Sequence, residues 1–169
     1  MNEWVLAFIP FLLYFLYKIV SGQAIYIPLP KETVRKILKL AEVKKGELVY
    51  DLGSGDGGVV LLAAKEFGAR AVGIEKNKLL VKISRWRVKR TGLERRVKIL
   101  EKDFFDCNLA GADVIVVYLT QKMNDELKPK LEKELRRGTR VVSASHVFKG
   151  WKPVKRVKTG HFYSYLYRM

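Results

Sequence analysis

The stretch VYDLGSGDGG, residues 49–58, decides how the rest of this sequence is interpreted. Gly53, Gly55 and Gly58 follow the spacing G-x-G-x-x-G, which places a nucleotide cofactor against the turn between a strand and a helix. Glycine at such positions lets the backbone adopt a positive φ and approach a ligand closely. The spacing first suggests a nicotinamide or flavin dinucleotide, but it does not identify the ligand by itself.

The segments on either side of this loop alternate between strand and helix patterns. Runs rich in β-branched residues predict five strands, namely ELVYDL, RAVGIE, VKILE, ADVIVVY and RVVSAS. Amphipathic or apolar runs predict helices over 31–43, 57–68, 77–91 and 122–137, and the last of these contains Pro129. For the helix over 77–91 we expect the core face to carry Leu79, Leu80, Ile83 and Trp86.

Alternation of this kind indicates a parallel sheet with helices on both faces. The tail from 152 to 169 differs, because two alternating stretches flank Thr159 and Gly160, which predicts a hairpin. A mostly parallel α/β sheet that ends in an antiparallel hairpin resembles the class I methyltransferase fold. The resemblance implies one Rossmann-like domain, which we place at residues 23–169, after an N-terminal hydrophobic helix within residues 1–22.

Acidic residues at three successive strand ends favour S-adenosylmethionine over a dinucleotide. Asp51 and Asp56 would repel a pyrophosphate, whereas Asp51 can bind the cofactor's ammonium and the loop N–H groups suit its carboxylate. Glu75 can accept hydrogen bonds from both ribose hydroxyls in either cofactor class. Asp103 can accept from the adenine amine while Phe104 or Phe105 packs on the purine. The predicted cofactor-binding residues are Tyr26, Asp51, Gly53, Ser54, Gly55, Asp56, Glu75, Asp103, Phe104 and Tyr118.

The charge of the chain is strongly positive. It carries 33 Lys or Arg against 17 Asp or Glu, a net charge of +16. Residues 76–98 alone contain ten basic residues and one Glu. Such density favours phosphate-rich partners, acidic protein surfaces or anionic lipid headgroups, although solvated helix faces would give the same pattern. The single cysteine, Cys107, excludes an intramolecular disulfide and a cysteine-built zinc site, and we expect no metal site.

The first residues form an apolar run, WVLAFIPFLLYFLY at 4–17. As a helix, residues 4–20 would be roughly 25 Å long, against about 30 Å for the hydrocarbon core of a bilayer. We expect a membrane anchor that spans the bilayer or lies on it, with a partner-binding or buried helix and a cleaved signal as alternatives. Because the basic residues follow this segment, the folded domain is expected on the cytoplasmic face.

Five blocks carry a closer resemblance: YIPLP, VYDLGSGDG, AVGIE, VVYLT and VVSASHVFKGW. In this order they resemble the family of the ATP synthase c-subunit and adenine nucleotide translocase lysine methyltransferases and the small archaeal protein-lysine methyltransferases. The match runs from about residue 24 to 153. It implies S-adenosylmethionine-dependent methylation of lysine side chains in proteins. Two positions depart from the family pattern, because Leu29 stands where a Thr is common and Gly58 where an Arg is common.

Four residues are the candidates for the methyl-transfer step. Tyr118 ends the fourth predicted strand, where its hydroxyl or carbonyl can orient the amine and its ring face can stabilise the developing ammonium. Tyr26, His146 and Trp151 are predicted walls of a lysine channel. Each of these four side chains could instead serve the core or cover the surface.

Two other functions remain open at the level of sequence. The positive charge suits an RNA methyltransferase, although no N/D-P-P-Y/F tetrapeptide follows the fourth strand and Cys107 is misplaced for attack on a cytosine. A basic binding protein that retains the fold without catalysis is the other alternative. The favoured expectation is a monomeric enzyme whose partners are protein substrates.

Overall fold

The computed structural model describes residues 26–169. The N-terminal hydrophobic helix and the membrane anchor predicted for residues 1–22 lie outside this part of the chain. Among the described residues, no helix has both the length and the apolar character needed to cross a bilayer.

One seven-stranded sheet organises the described residues. The strands in chain order are β1 Leu48–Leu52, β2 Arg70–Glu75, β3 Val97–Glu101, β4 Val114–Val117, β5 Arg140–Ala144, β6 Lys155–Lys158 and β7 Tyr163–Arg168. Their order across the sheet is β3-β2-β1-β4-β5-β7-β6. The first five are parallel, whereas β7 pairs antiparallel with β5 and β6. The predicted parallel sheet and C-terminal hairpin are therefore confirmed.

Within residues 26–169, four α-helices cover the two faces of the sheet. They are α1 Lys31–Leu40, α2 Gly58–Phe67, α3 Lys78–Arg90 and α4 Gln121–Glu134. Alternate residues of β4 face opposite layers, so that Val114 and Val116 join one buried cluster with α1, α2 and α3, while Ile115 and Val117 join the other with α4. Because both faces are covered, all four residues of β4 are buried.

Two helices, α3 and α4, begin at the carboxyl edge of the sheet, each with an N-cap side chain. Asn77 caps α3, since its side-chain oxygen accepts from the N–H groups of Leu79 at 3.0 Å and Leu80 at 3.3 Å. Thr120 caps α4 by accepting from the N–H of Met123 at 3.3 Å. These caps fix where α3 and α4 begin, directly after β2 and β4.

The core face predicted for α3 is wrong. The buried residues of α3 are Val81, Ser84 and Val88, whereas the side chains of Leu79, Ile83 and Trp86 are 65%, 37% and 58% exposed. The reason is a close approach of α3 to the glycine loop. A Cβ added at Gly57 would lie 3.1 Å from the Cβ of Ser84, so only a small side chain fits between the two elements. The largest apolar residues of α3 consequently face outward, and Leu80 lies at the side.

Candidate active site

A single cleft brings most of the predicted site residues together. It opens at the carboxyl ends of β1, β2 and β4 and has a volume of about 780 Å³, which is ample for a nucleoside-sized ligand. Its lining contains Tyr26, Asp51, Gly53, Ser54, Asp56, Glu75, Asp103, Phe104 and Tyr118. Gly55 belongs to the same loop and lies beneath the ring of Tyr26.

The glycine loop is folded tightly onto β2. The N–H groups of Gly53 and Ser54 both donate to the carbonyl of Ile74, at 2.9 and 3.0 Å. Gly73 of β2 makes this possible, because a Cβ there would lie 2.7 Å from the Oγ of Ser54. Gly53 and Gly55 have positive φ angles, +79° and +53°. The expectation that these loop N–H groups bind the cofactor's carboxylate is therefore wrong for Gly53 and Ser54, which are already bonded within the protein.

Glu75 is held in place by two backbone donors. Its Oε2 accepts from the N–H of Gly55 at 2.9 Å, and its Oε1 accepts from the N–H of Asn77 at 2.8 Å. A carboxylate has about four lone-pair sites, so each oxygen retains capacity for one more donor. Glu75 is thus a rigid, preorganised acceptor for two hydroxyl groups.

Asp51 is the most unusual group of the cleft. It is 5% exposed, and no hydrogen bond from residues 26–169 reaches its carboxylate. Burial raises the pKa of Asp51 from 3.8 to about 8, and the charges of Glu75 and Asp56 contribute to the rise. A buried carboxylate without a partner is costly unless a cation neutralises it. The arrangement therefore favours a ligand that brings a positive charge to this end of β1.

Asp56 lines the cleft but is already engaged. Its carboxylate accepts from the N–H of Gly58 at 3.1 Å and pairs with Arg87 of α3. The hydroxyl of Tyr26 also bonds to it, and partial burial together with the charge of Asp56 raises the pKa of Tyr26 to about 12. The ring of Tyr26 lies so close over Gly55 that any Cβ at Gly55 would overlap it. Asp56 thus fastens α3 and the segment before α1 to the glycine loop.

The third strand end supplies an acid and an aromatic ring. Asp103 caps the short 3₁₀ helix 104–106, with its Oδ1 accepting from the N–H of Phe105 at 3.1 Å. Its Oδ2 lies 3.4 Å from the Nζ of Lys76, an exposed partner that a ligand can displace. Phe104 is buried, and its ring centroid lies 4.7 Å from that of Phe105. An acceptor and an apolar face are therefore available for a heteroaromatic base.

Tyr118 stands at the other wall, directly after β4. Its ring stacks on that of Phe162, with centroids 5.3 Å apart and planes inclined by 20°. Lys122, Met123 and Glu126 of α4 line the cleft as well, and sequence reasoning missed these three. Thr120 could have indicated them, because an N-cap residue at the end of β4 places the first turns of the next helix at the same edge of the sheet.

The structure does not bring the other two channel candidates into the cleft. The ring of Trp151 packs on Phe148 and Tyr167, at 4.7 and 5.4 Å between centroids, and its Nε1 donates to Glu132. Tyr167 pairs with Val141 near the start of β5, which is the opposite end of the strand from the cleft. Trp151 is therefore a packing residue, and its assignment to a lysine channel is wrong.

His146 lies at the correct edge of the sheet, but its ring does not line the cleft. Its backbone carbonyl accepts from the Oγ of Ser143 at 2.6 Å and from the Nδ2 of Asn124 at 3.4 Å. These bonds hold the turn in which Ser145 has a φ of +73°. In this structure His146 contributes through its backbone to the turn after β5, not as a wall of the cleft.

Comparison with known proteins decides the family. The sequence model of the ANTKMT methyltransferase domain matches residues 51–155, which include the glycine loop, Glu75, Asp103 and Tyr118. The chain belongs to the ANTKMT methyltransferase family.

Two curated relatives of this methyltransferase are informative. The protein-lysine N-methyltransferase of Saccharolobus islandicus is 40% identical over 134 residues, which cover 79% of this chain and 83% of that protein. The ATP synthase c-subunit lysine N-methyltransferase of Mus musculus is 36% identical over 128 residues, which cover 76% of this chain. The match spans only 51% of the mouse protein, so this methyltransferase corresponds to about half of that relative.

A solved structure supports the fold and the cofactor. It is described as an RNA methyltransferase from Salinibacter ruber in complex with S-adenosyl-L-homocysteine, and it superimposes with a TM-score of 0.82 and 37% identity over 84% of this chain and 93% of that one. The fold is the class I methyltransferase fold, and the cofactor is S-adenosylmethionine. The acceptor groups of the cleft fit this cofactor, because the unpartnered carboxylate of Asp51 suits an ammonium and the fixed carboxylate of Glu75 suits a ribose diol.

Proposed function

We propose that this chain is a protein-lysine N-methyltransferase, which transfers the methyl group of S-adenosylmethionine to the side-chain amine of lysine in other proteins. The observation that carries the proposal is an agreement between relatives with different names. The Saccharolobus protein and the mouse protein are both named as lysine N-methyltransferases, and both match this chain at 36% identity or more. The shared feature is the acceptor group, lysine, while the protein that carries it differs or is unspecified.

The site residues divide between holding the cofactor and receiving the amine. We assign Asp51 to the ammonium, Glu75 to the ribose hydroxyls, and Asp103 with Phe104 to the adenine. When bound, S-adenosylmethionine supplies a methyl group on a sulfonium, which a neutral amine can attack in line. Gly53, Ser54 and Gly55 contribute by shape, because their N–H groups bond to Ile74 and Glu75.

Tyr118 is the residue that we assign to the acceptor. Its hydroxyl can accept a hydrogen bond from the incoming amine, and its ring face can stabilise the ammonium that forms. The ring of Phe162, stacked on it, limits the orientations of Tyr118 and so preserves the alignment that displacement needs. Glu126 and Lys122 of α4 line the same cleft and give its wall both signs of charge.

No histidine from residues 26–169 lines the cleft, and we assign the loss of the amine proton to water. The rate of methyl transfer is then expected to rise with pH, because the fraction of neutral lysine increases toward its pKa of about 10. A bell-shaped pH profile with a maximum near neutrality would point to a general base and would contradict this mechanism.

RNA is the second candidate substrate, because the Salinibacter structure is described as an RNA methyltransferase and the chain carries a charge of +16. The lysine proposal is preferred, since the two curated relatives described above are both named for lysine. The test is to incubate the full chain with S-adenosylmethionine carrying a labelled methyl group and either the proteins or the total RNA of its own cells. Label on protein that maps to lysine supports the proposal, and label on RNA alone contradicts it. A Glu75→Ala variant serves as the control without cofactor binding.

We also propose that residues 4–20 attach the enzyme to a membrane with its domain on the cytoplasmic face, and that it acts as a monomer. The apolar run and the basic residues that follow it support this arrangement. Flotation of the full chain with phosphatidylcholine vesicles tests the attachment, with a Leu12→Asp, Leu13→Asp double variant as the control. Equal flotation of both proteins would exclude the segment as the anchor. The oligomeric state is tested separately, by measuring the molar mass of the detergent-solubilised chain with light scattering.

A further inference from the structure

The outer face of α3 combines apolar and basic side chains in a regular pattern. Leu79, Ile83, Trp86 and Arg90 follow helical spacing, and we call them the α3 stripe. They lie on the side of α3 opposite to the buried residues Val81, Ser84 and Val88. The three apolar members are 65%, 37% and 58% exposed, and the guanidinium of Arg90 lies 5.2 Å from the centroid of the Trp86 ring.

The charge of α3 has one sign. The helix contains six Lys or Arg and no acidic residue. Arg87 is bound to Asp56 and Arg85 lies 3.8 Å from Glu101, but Lys78, Lys82 and Lys89 are exposed and form no ion pair with residues 26–169. By helical geometry these three lysines flank one side of the α3 stripe.

The α3 stripe is also close to the entry of the N-terminal segment. Trp86 and Arg90 line the same cleft as Tyr26 and Ile27, which are 41% and 56% exposed. Residue 26 follows the apolar run 4–20 by only a few positions. Several exposed apolar side chains of residues 26–169 therefore lie near Tyr26, from which the chain continues toward the apolar run 4–20.

We propose that the α3 stripe docks on an anionic lipid surface, with Leu79, Ile83 and Trp86 in the headgroup region and Lys78, Lys82 and Lys89 on the lipid phosphates. An amphipathic helix with tryptophan on its apolar face and lysines beside it has the composition of an interfacial helix. The chain's own residues 4–20 are a poorer partner for this face, because that segment has no acidic residue to pair with the three lysines. An apolar centre likewise fits a lipid headgroup region better than a nucleic acid backbone.

A dye at position 79 tests this proposal in the full chain. Leu79 does not line the cleft, so a Leu79→Cys variant keeps the cofactor site, and a Cys107→Ala change removes the buried native thiol. The cysteine is labelled with an environment-sensitive fluorophore and mixed with phosphatidylcholine vesicles, with or without roughly a third of phosphatidylglycerol. We expect a blue shift and a gain of intensity with the anionic vesicles only. The same dye on a Val154→Cys variant, also at an exposed apolar position, is expected to show no change.

The role of charge is tested with two matched triple variants. Lys78→Gln, Lys82→Gln and Lys89→Gln together should weaken docking about a hundredfold, at roughly fivefold per cation, and remove the dye response. The control changes Lys36, Lys39 and Lys44 to Gln, which lowers the net charge equally on residues of α1 and the loop after it. This control is expected to retain the response.

Three outcomes would overturn the proposal. The chain could float with the vesicles while the dye at position 79 stays unchanged, which would leave attachment to residues 4–20 alone. Neutral and anionic vesicles could give the same response, which would remove the lysines from the interaction. Total RNA, and not vesicles, could change the dye signal, which would assign the face to nucleic acid.

Discussion

Replacing Asp51 by Asn is expected to stabilise the cofactor-free protein while weakening its function. The pKa of Asp51 is raised from 3.8 to about 8 by burial and by the charges of Glu75 and Asp56. Between these two values the folded chain holds a proton that the unfolded chain releases, so stability falls as pH rises through this window. At about 1.4 kcal/mol per pKa unit, the ionised carboxylate destabilises the free protein by roughly 6 kcal/mol above about pH 8. Asparagine has the same shape and does not ionise.

The net stabilisation by Asp51→Asn is smaller than the destabilisation by the ionised carboxylate. A buried amide without a full set of partners costs about 1–3 kcal/mol, so Asp51→Asn should raise the free energy of unfolding by about 3 kcal/mol near pH 9 and by about zero near pH 5. Urea unfolding of the two proteins at both pH values, followed by tryptophan fluorescence, measures the difference. Asp106→Asn, which changes an exposed carboxylate, is the matched control and should alter neither value.

The ligand reverses the order of stability. The ammonium of S-adenosylhomocysteine neutralises Asp51, so saturating product should stabilise the natural protein far more than the Asp51→Asn variant. Equal unfolding free energies near pH 9 without ligand would refute the electrostatic argument. Equal stabilisation of both proteins by the product would refute the assignment of Asp51 to the ammonium.

The other predictions concern single residues with separate measurements. Glu75→Gln should weaken cofactor binding at least tenfold in calorimetry, because a charge-assisted hydrogen bond contributes about 1.5–3 kcal/mol; unchanged affinity would remove it from the site. Tyr118→Phe should lower the single-turnover rate several-fold with the cofactor's Kd unchanged, and equal rates would exclude its hydroxyl from the reaction. Trp151→Phe should lower thermal stability and leave the rate within about twofold, since the ring packs away from the cleft. Arg140→Ala should cost about 3 kcal/mol of unfolding free energy, because the buried guanidinium holds Glu47 at 2.6 Å and two carbonyls at the end of α1.

The fold was predictable because its signals are local and repeated. Each buried parallel strand is a short β-branched run, and each crossover begins with a capping residue or a glycine turn. The three carboxylates at successive strand ends were predictable for the same reason, since all parallel strands end at one edge of the sheet. Asp51, Glu75 and Asp103 accordingly line one cleft.

The errors arose where packing across the chain overrides a local pattern. The outward face of α3 depends on the contact between Ser84 and Gly57, which no single window of sequence contains. Trp151 and His146 come from one block of sequence, but the turn at Ser145 separates their side chains from the cleft. The engagement of Asp56 by Arg87 joins positions 31 residues apart. Each of these facts concerns a distance between elements rather than the identity of a residue.

The attachment of Tyr26 to the glycine loop has a consequence for which lysines the enzyme can reach. Because the Tyr26 ring covers Gly55, the chain that leads away from the domain starts at the cleft wall itself. If residues 4–20 are anchored in a bilayer, about six further residues reach at most about 20 Å when fully extended. The cleft would then stay at a nearly fixed distance from the membrane, and the enzyme would select lysines by their distance from the membrane surface more than by the sequence around them.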